Sequence, residues 1–196
     1  PFLRYFTAGG DVVLDSADCF RLAPLSITSY TIRNIDGVLT LGTESSKWFS
    51  RNLLFLEIFS CNVGLGWFNG LPASLKTINL GLPTLSEEEM ENLAKACPSL
   101  KVVLFKVSSE QNSIATLLKH MPRCCESFGI ELESEENEDP ILCNEHLIGL
   151  PPKIKSLVLP YSSKVTKECK IHLPKQLDEF ILGSSDPEWM SKTSSY

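Results

Sequence analysis

The chain has 196 residues, of which 43% are hydrophobic and 21% charged, and its formal net charge is −6. This length suits a single domain with a substantial core, and the acidic balance argues against nucleic acid as the main partner. No apolar run approaches the length of a membrane span and no signal peptide is visible, so we expect no membrane partner.

The first 22 residues precede the regular part of the chain. Phe2, Leu3, Phe6 and the apolar run at residues 12–14 predict a pair of strands that caps one end of the fold. The chain opens at Pro1 rather than Met, so we expect it to be a processed or trimmed piece of a longer protein. A turn at residues 34–37, a strand at 38–41 and a short helical turn at 45–49 are predicted next.

Residues 71–105 contain the clearest structural unit. Residues 75–80 alternate apolar and polar side chains at their end, which predicts a half-buried strand. Ser86 followed by Glu89 is a capping box, so a helix is predicted to begin there. Met90 and Leu93 lie on one face of that helix, and Pro98 ends it. Residues 100–105 begin the next strand.

The remaining elements follow the same order. A helix is predicted at residues 112–121, and residues 131–139 form an acidic insertion that is either a solvated loop or a site for a basic partner. A further helix is predicted to begin at Asp139-Pro140 and to run to about Leu147. Residues 184–196 are expected to form a loosely ordered polar tail.

The unit recurs about seven times between residues 24 and 183, at intervals of about 22 to 29 residues, as in solenoid proteins. Unit origins are placed at Pro24, Ser50, Pro72, Cys97, Pro122, Pro151 and Pro174. One position before the origins stand Ala23, Phe49, Leu71, Ala96, Met121, Leu150 and Leu173. Three positions after come Ile27, Leu53, Leu75, Leu100, Cys125, Ile154 and Leu177. Six positions after come Tyr30, Leu56, Ile78, Val103, Phe128, Leu157 and Phe180. Eight positions after come Ile32, Ile58, Leu80, Phe105, Ile130, Leu159 and Leu182. These four columns are the predicted core.

The pattern Leu-x-x-Ile-x-Leu at Leu75–Leu80, with its period, resembles the leucine-rich repeat superfamily. The run from Leu85 to Leu100 is similar to the cysteine-containing subclass found in substrate receptors of the F-box type. This resemblance implies an α/β solenoid, with a curved parallel sheet on its concave side and helices or loops on its convex side. It also implies protein recognition through the concave face.

Side chains that alternate with the core columns are predicted to face the hollow of the solenoid. Several are apolar, which is typical of a protein interface. The alternative is that loops or the terminal segments cover this face and make it a second core. The predicted partner-binding residues are Phe55, Glu57, Phe59, Asn79, Val102, Leu104, Lys106, Val158 and Ile181.

Cysteine and histidine residues offer the only candidate chemistry. Cys143 and His146 form one Cys-x-x-His pair and Cys169 and His172 another, about one repeat apart, a spacing that zinc ligands can have. Against zinc, the first pair falls within a predicted helix and the two pairs stand at different offsets from the following origins. A Cys–His nucleophile is the other alternative, but no oxyanion loop or orienting carboxylate accompanies either pair. We expect no catalysis, metal or cofactor.

The seven Cys are odd in number and spread through the repeat, with Cys97 and Cys125 in core columns. This distribution predicts buried, reduced thiols and a cytoplasmic, reducing compartment. We therefore expect a monomer or a subunit of a hetero-complex that acts as an adaptor or substrate-recognition arm. The alternative is the non-catalytic part of a ubiquitin ligase, or a secreted pathogen effector, whose catalytic domain lies outside this chain.

Overall fold

The computed structural model describes residues 5–8, 24–32, 39–59, 61–64, 66–82, 86–107, 114–132 and 142–183. These residues form an α/β fold built on a parallel sheet. Their strands are β1 (Tyr5–Ala8), β2 (Ser29–Ile32), β3 (Leu39–Leu41), β4 (Phe55–Ile58), β5 (Cys61–Val63), β6 (Thr77–Leu82), β7 (Val102–Val107), β8 (Ser127–Leu132), β9 (Ser156–Leu159) and β10 (Glu179–Leu182). Their α-helices are α1 (Glu87–Ala96) and α2 (Ile114–Lys119).

The main sheet has eight strands in the order β1-β2-β4-β6-β7-β8-β9-β10, and each neighbouring pair is parallel. The register confirms the predicted alignment of the seven units, because the six-position column pairs residue by residue across the sheet. The aligned residues are Tyr30, Leu56, Ile78, Val103, Phe128, Leu157 and Phe180.

Each unit begins with a turn rather than with the strand itself. The origin carbonyl accepts a hydrogen bond from the backbone N–H three positions later, at 2.9 to 3.1 Å in all seven units. Leu75 is therefore in a turn, and β6 begins two residues later than the sequence predicted. Leu71, which precedes the origin Pro72, is extended at φ −68° and ψ 144°, as the residue before a proline usually is.

A second hydrogen-bond pattern joins each turn to the next unit. One carbonyl accepts from two successive N–H groups of the following unit, at 2.7 to 3.2 Å. The six accepting carbonyls belong to Thr28, Leu54, Lys76, Lys101, Glu126 and Lys155. This regular connection sets the spacing of the turns along one edge of the sheet.

The core lies on one face of the main sheet. Every described side chain of the six- and eight-position columns is at most 5% exposed, as expected for residues that alternate along half-buried strands. The side chain of Ile32 lies outside the described residues. Among the described members of the other two columns, three differ from the prediction and are only partly buried: Ala96, Leu173 and Leu177.

Helix α1 confirms its predicted start. Ser86 Oγ accepts from the backbone N–H of Glu89 at 3.2 Å, and Glu89 Oε2 accepts from the backbone N–H of Ser86 at 2.7 Å. The two bonds satisfy donors that a helix start otherwise leaves without partners. Helix α2 is shorter than the predicted segment 112–121, whose first two residues are outside the described ranges.

The helix predicted from Asp139-Pro140 to Leu147 is wrong at its described end. Cys143 is extended, at φ −137° and ψ 173°, and only a 3-10 turn at Asn144–Leu147 follows it. The side chain of His146 explains the difference, because its Nδ1 accepts from the backbone N–H of Cys143 at 3.1 Å and starts a new turn there.

Smaller elements fill the remaining connections. The predicted turn at residues 45–49 is a 3-10 helix at Ser45–Trp48, and two others occur at Trp67–Gly70 and Lys167–Ile171. Strand β3, predicted at residues 38–41, pairs with β5 in a separate parallel sheet, and β5 was not predicted. Strand β1 lies in the segment predicted to form the N-terminal strand pair. It extends the main sheet by pairing with β2 in parallel.

Several predictions fall on residues outside the described ranges: the strand at 12–14, the turn at 34–37, most of the acidic insertion 131–139 and the tail 184–196. The first two residues of that insertion, Glu131 and Leu132, differ from the prediction, because they are the last two residues of β8. No helix within the described ranges is both long enough and apolar enough to cross a membrane.

Candidate functional site

The face of the main sheet opposite the core carries the residues predicted to bind a partner. We call it the outward face. From β2 to β10, strand pairing arranges its side chains in two rows, with a third beyond some strands. The first row is Ser29, Phe55, Thr77, Val102, Ser127, Ser156 and Glu179. The second row is Thr31, Glu57, Asn79, Leu104, Gly129, Val158 and Ile181. Lys106 belongs to the third row, and Phe59 directly follows β4 and continues its alternation.

The apolar side chains of this face are half-buried rather than fully exposed. Phe55, Phe59, Val102, Leu104 and Val158 are all intermediate in exposure, and Ile181 on the edge strand β10 is 37% exposed. The structure also divides the predicted patch in two. Strand β6, which contributes polar side chains to this face, lies between Phe55 and Val102.

The larger apolar area runs across β7 to β10. Leu104 aligns with Gly129, Gly129 with Val158, and Val158 with Ile181. A Cβ atom added at Gly129 would lie 2.6 Å from Leu104 Cδ2 and 3.7 Å from Val158 Cβ. The missing side chain at Gly129 therefore lets Leu104 lean across β8, so that the apolar row continues between β7 and β9.

A hydrogen-bonded polar pair, a buried Glu57 and a half-buried Asn79, separates the two apolar areas. Glu57 is 5% exposed, and its Oε2 accepts a hydrogen bond from Asn79 Nδ2 at 3.1 Å. Thr31, aligned with Glu57 on the other side, is 9% exposed. The sequence predicted that Glu57 contacts a partner, but the structure buries its side chain within the outward face itself. A buried carboxyl group requires hydrogen-bond partners to offset its lost hydration.

Polar contacts at the far end of the face involve Ser156 and Glu179. Ser156 Oγ donates to Glu179 Oε2 at 2.7 Å, and these residues are aligned neighbours on β9 and β10. Lys106 on β7 aligns with Glu131 on β8. The larger apolar area is thus bordered by polar and charged side chains, a composition common in protein interfaces.

The two Cys-x-x-His pairs do not assemble into one site. Cys143 Sγ lies 3.3 Å from His146 Nδ1, but these residues and Cys169 and His172 do not form a set of three or more ligand atoms within 4.8 Å of one another. Glu145 raises the pKa of the Cys143 thiol, chiefly through a side-chain hydrogen bond. This shift disfavours the thiolate that a nucleophile or a zinc ligand requires.

Sequence reasoning missed a different cluster, which joins α1 to the residue after α2. His120 Nε2 lies 2.5 Å from Glu87 Oε1, and His120 Nδ1 lies 3.3 Å from Glu91 Oε1. Lys119 Nζ also lies 3.5 Å from Glu87 Oε1, and Lys95 Nζ lies 3.2 Å from Glu91 Oε2. The side-chain atoms of Glu87, Glu91 and His120 are close enough together to hold a cation. The two lysines already contact both carboxylates, so we interpret the cluster as an ion-pair bridge between the helices. The four-residue spacing of Glu87 and Glu91 was the only sequence signal.

Burial of the cysteine thiols agrees with the predicted core columns. Cys97 and Cys125 are fully buried and unpaired by disulfides. Desolvation raises the pKa of both thiols to about 12, so neither is suited to nucleophilic chemistry.

Comparison of the chain with protein-family models, curated proteins and solved structures finds no match.

Proposed function

We propose that this chain is a leucine-rich-repeat-like solenoid that recognises a partner protein on the outward face of its main sheet. In this proposal that face is the concave side of the solenoid. The chain acts as an adaptor or substrate-recognition arm, alone or within a hetero-complex, and supplies binding rather than catalysis.

The repeated backbone pattern supports the solenoid part of the proposal. Seven units begin with the same turn, and the turns of successive units are joined by the same shared carbonyl. Strand order follows chain order among these units. In repeat proteins each unit contacts its neighbours and the stacked strands form an extended binding surface.

The apolar row formed by Leu104, Val158 and Ile181 is the observation that carries the binding proposal. These side chains stand on the face opposite the core, where the chain buries them only in part. Apolar side chains bordered by polar groups match a typical interface, which has an apolar centre that excludes water and a polar, hydrated rim.

The test is photo-crosslinking followed by direct binding. A photoreactive phenylalanine analogue replaces Ile181, the most exposed member of the apolar row, and the captured protein is identified. Its affinity for the chain is then measured with both proteins purified. We expect Val158→Glu to weaken binding at least tenfold, as loss of a central apolar contact usually does. Ile171→Glu is the matched control, because Ile171 is 82% exposed and lies on the Lys167–Ile171 turn, away from the outward face.

Stability measurements separate binding from folding. If Val158→Glu unfolds the chain while Ile171→Glu does not, the outward face is covered by the protein itself and the proposal is wrong. Val158→Thr keeps the shape of the side chain, so it provides a second variant with a smaller effect on folding. A partner bound equally by the wild-type, Val158→Thr and Val158→Glu proteins would also refute the proposal.

A further inference from the structure

The turns that begin the seven units lie along one edge of the main sheet and together form a basic surface. We call it the basic edge and define it as residues 25–28, 51–54, 73–76, 98–101, 123–126, 152–155 and 175–178. Its basic residues are Arg51, Lys76, Lys101, Arg123, Lys153, Lys155 and Lys175. Its acidic residues are Glu126 and Asp178. The whole chain has 18 basic and 24 acidic residues, so positive charge is concentrated at this edge.

One of the two acidic residues is already neutralised. Glu126 Oε1 lies 2.6 Å from Lys101 Nζ, and Glu126 Oε2 lies 3.2 Å from Lys155 Nζ. Hydrogen bonds from these two lysines lower the pKa of the Glu126 carboxyl group. Two cations therefore share one carboxylate, and the trio retains a net positive charge.

The other five cations are exposed and make no ion pair with any described residue. They are Arg51, Lys76, Arg123, Lys153 and Lys175. Neighbouring strands are about 4.8 Å apart, so the seven turns span about 29 Å. Positive charges aligned over this distance produce a field that attracts an extended anionic chain.

Two exposed leucines distinguish the kind of anion that fits. Leu25 is 77% exposed and Leu54 is 39% exposed, and both stand in the first two turns. The turns contain no Phe, Tyr or Trp, so the edge has no aromatic platform for stacking nucleic-acid bases. Apolar contacts at one end and cations along the rest match a polypeptide better than a phosphate polymer.

We propose that the basic edge binds an acidic segment of another protein, with Glu and Asp side chains along the cations and an apolar residue against Leu25 and Leu54. At about 3.3 Å per residue, an extended segment of about nine residues spans the edge. This site is distinct from the outward face and does not depend on the function proposed for that face.

The test measures fluorescence anisotropy of a labelled probe peptide of about nine residues, mostly Glu with Leu near one end, a length set by the span of the edge. The full chain is titrated at low and at physiological salt. A peptide with Gln in place of Glu and a single-stranded oligonucleotide serve as comparison probes. We expect the Glu peptide to bind, the affinity to fall with salt, and the Gln peptide to bind much more weakly.

Charge reversal locates the site. Lys76→Glu with Lys153→Glu should weaken Glu-peptide binding about tenfold or more, since each exposed pair contributes a few-fold and reversal adds repulsion. Lys164→Glu with Lys167→Glu is the matched control, because it changes the net charge equally at exposed lysines away from the edge. Circular dichroism checks that both variants stay folded.

Three outcomes would overturn the proposal. The first is absence of peptide binding at low salt, and the second is equal weakening by both charge reversals, which would show a general charge effect. The third is tighter binding of the oligonucleotide than of the Glu peptide, which would assign the edge to nucleic acid. None of these outcomes bears on binding at the outward face, where Val158→Glu is the diagnostic variant.

Discussion

Asn79→Ala tests whether the Glu57–Asn79 pair stabilises the outward face. The substitution removes the donor that lies 3.1 Å from Glu57 Oε2. Glu57 is only 5% exposed, so water cannot easily replace that donor. Loss of one partner from a buried hydrogen bond costs about 1–3 kcal/mol. For a chain of this size, a loss of about 2 kcal/mol, the middle of that range, lowers Tm by about 4–8 °C.

The assay is a double-mutant cycle in urea. Unfolding of the wild-type, Asn79→Ala, Glu57→Ala and double-variant proteins is followed by circular dichroism, because each single substitution then removes the hydrogen bond. Because Glu57 and Asn79 are in contact, we expect their effects to be non-additive by about 0.5–3 kcal/mol. Additive effects, or a loss below about 0.5 kcal/mol for Asn79→Ala, would refute the reasoning. Lys106→Ala, at an outward-face residue of similar exposure that does not bond to Glu57, is the control and should cost little.

Three other measurements test the packing and the charges. Ser86→Ala removes one bond of the α1 capping box, and we expect a loss of about 1 kcal/mol in the free energy of unfolding, whereas Ser99→Ala at an exposed turn residue should change little. Burial raises the thiol pKa of Cys97 and Cys125 to about 12, so both should be alkylated far more slowly at pH 8 in the folded chain than in urea. Peptide mass spectrometry measures the two rates, and equal rates would contradict their burial. Glu126→Gln should destabilise the chain slightly above pH 4.5, the ordinary glutamate pKa, because the pKa of Glu126 is lowered in the folded chain. The difference in stability between wild-type and variant should disappear as the pH falls through that lowered pKa. A stability difference that persists in acid would exclude the ion pairs as its cause.

The core and the strand register were predictable because a half-buried strand has a two-residue period. Shifting one unit by a single residue would move its apolar side chains from the core to the opposite face. The columns through Leu56 and Ile58 therefore specify the alignment that the structure shows. The α1 start was also predictable, since a capping box is local chemistry between Ser86 and Glu89.

Local patterns were weaker guides where elements are short. Strand β5 has three residues and pairs with an equally short strand, so neither period nor length distinguished it from a loop. The helix predicted toward Leu147 was wrong because a side-chain bond from His146 to the Cys143 backbone competes with helical hydrogen bonding.

From the sequence alone one can determine the repeat, its core columns and which side chains share a face, because these follow from the alternation of neighbouring residues. Contacts between units were decided only by the tertiary structure. It buried Glu57 against Asn79, divided the apolar side chains of the outward face at β6, and joined Glu87 and Glu91 to His120. It also aligned seven turns so that scattered lysines and arginines became one basic edge. These features depend on distances between residues that are remote along the chain, and only packing of the units establishes such distances.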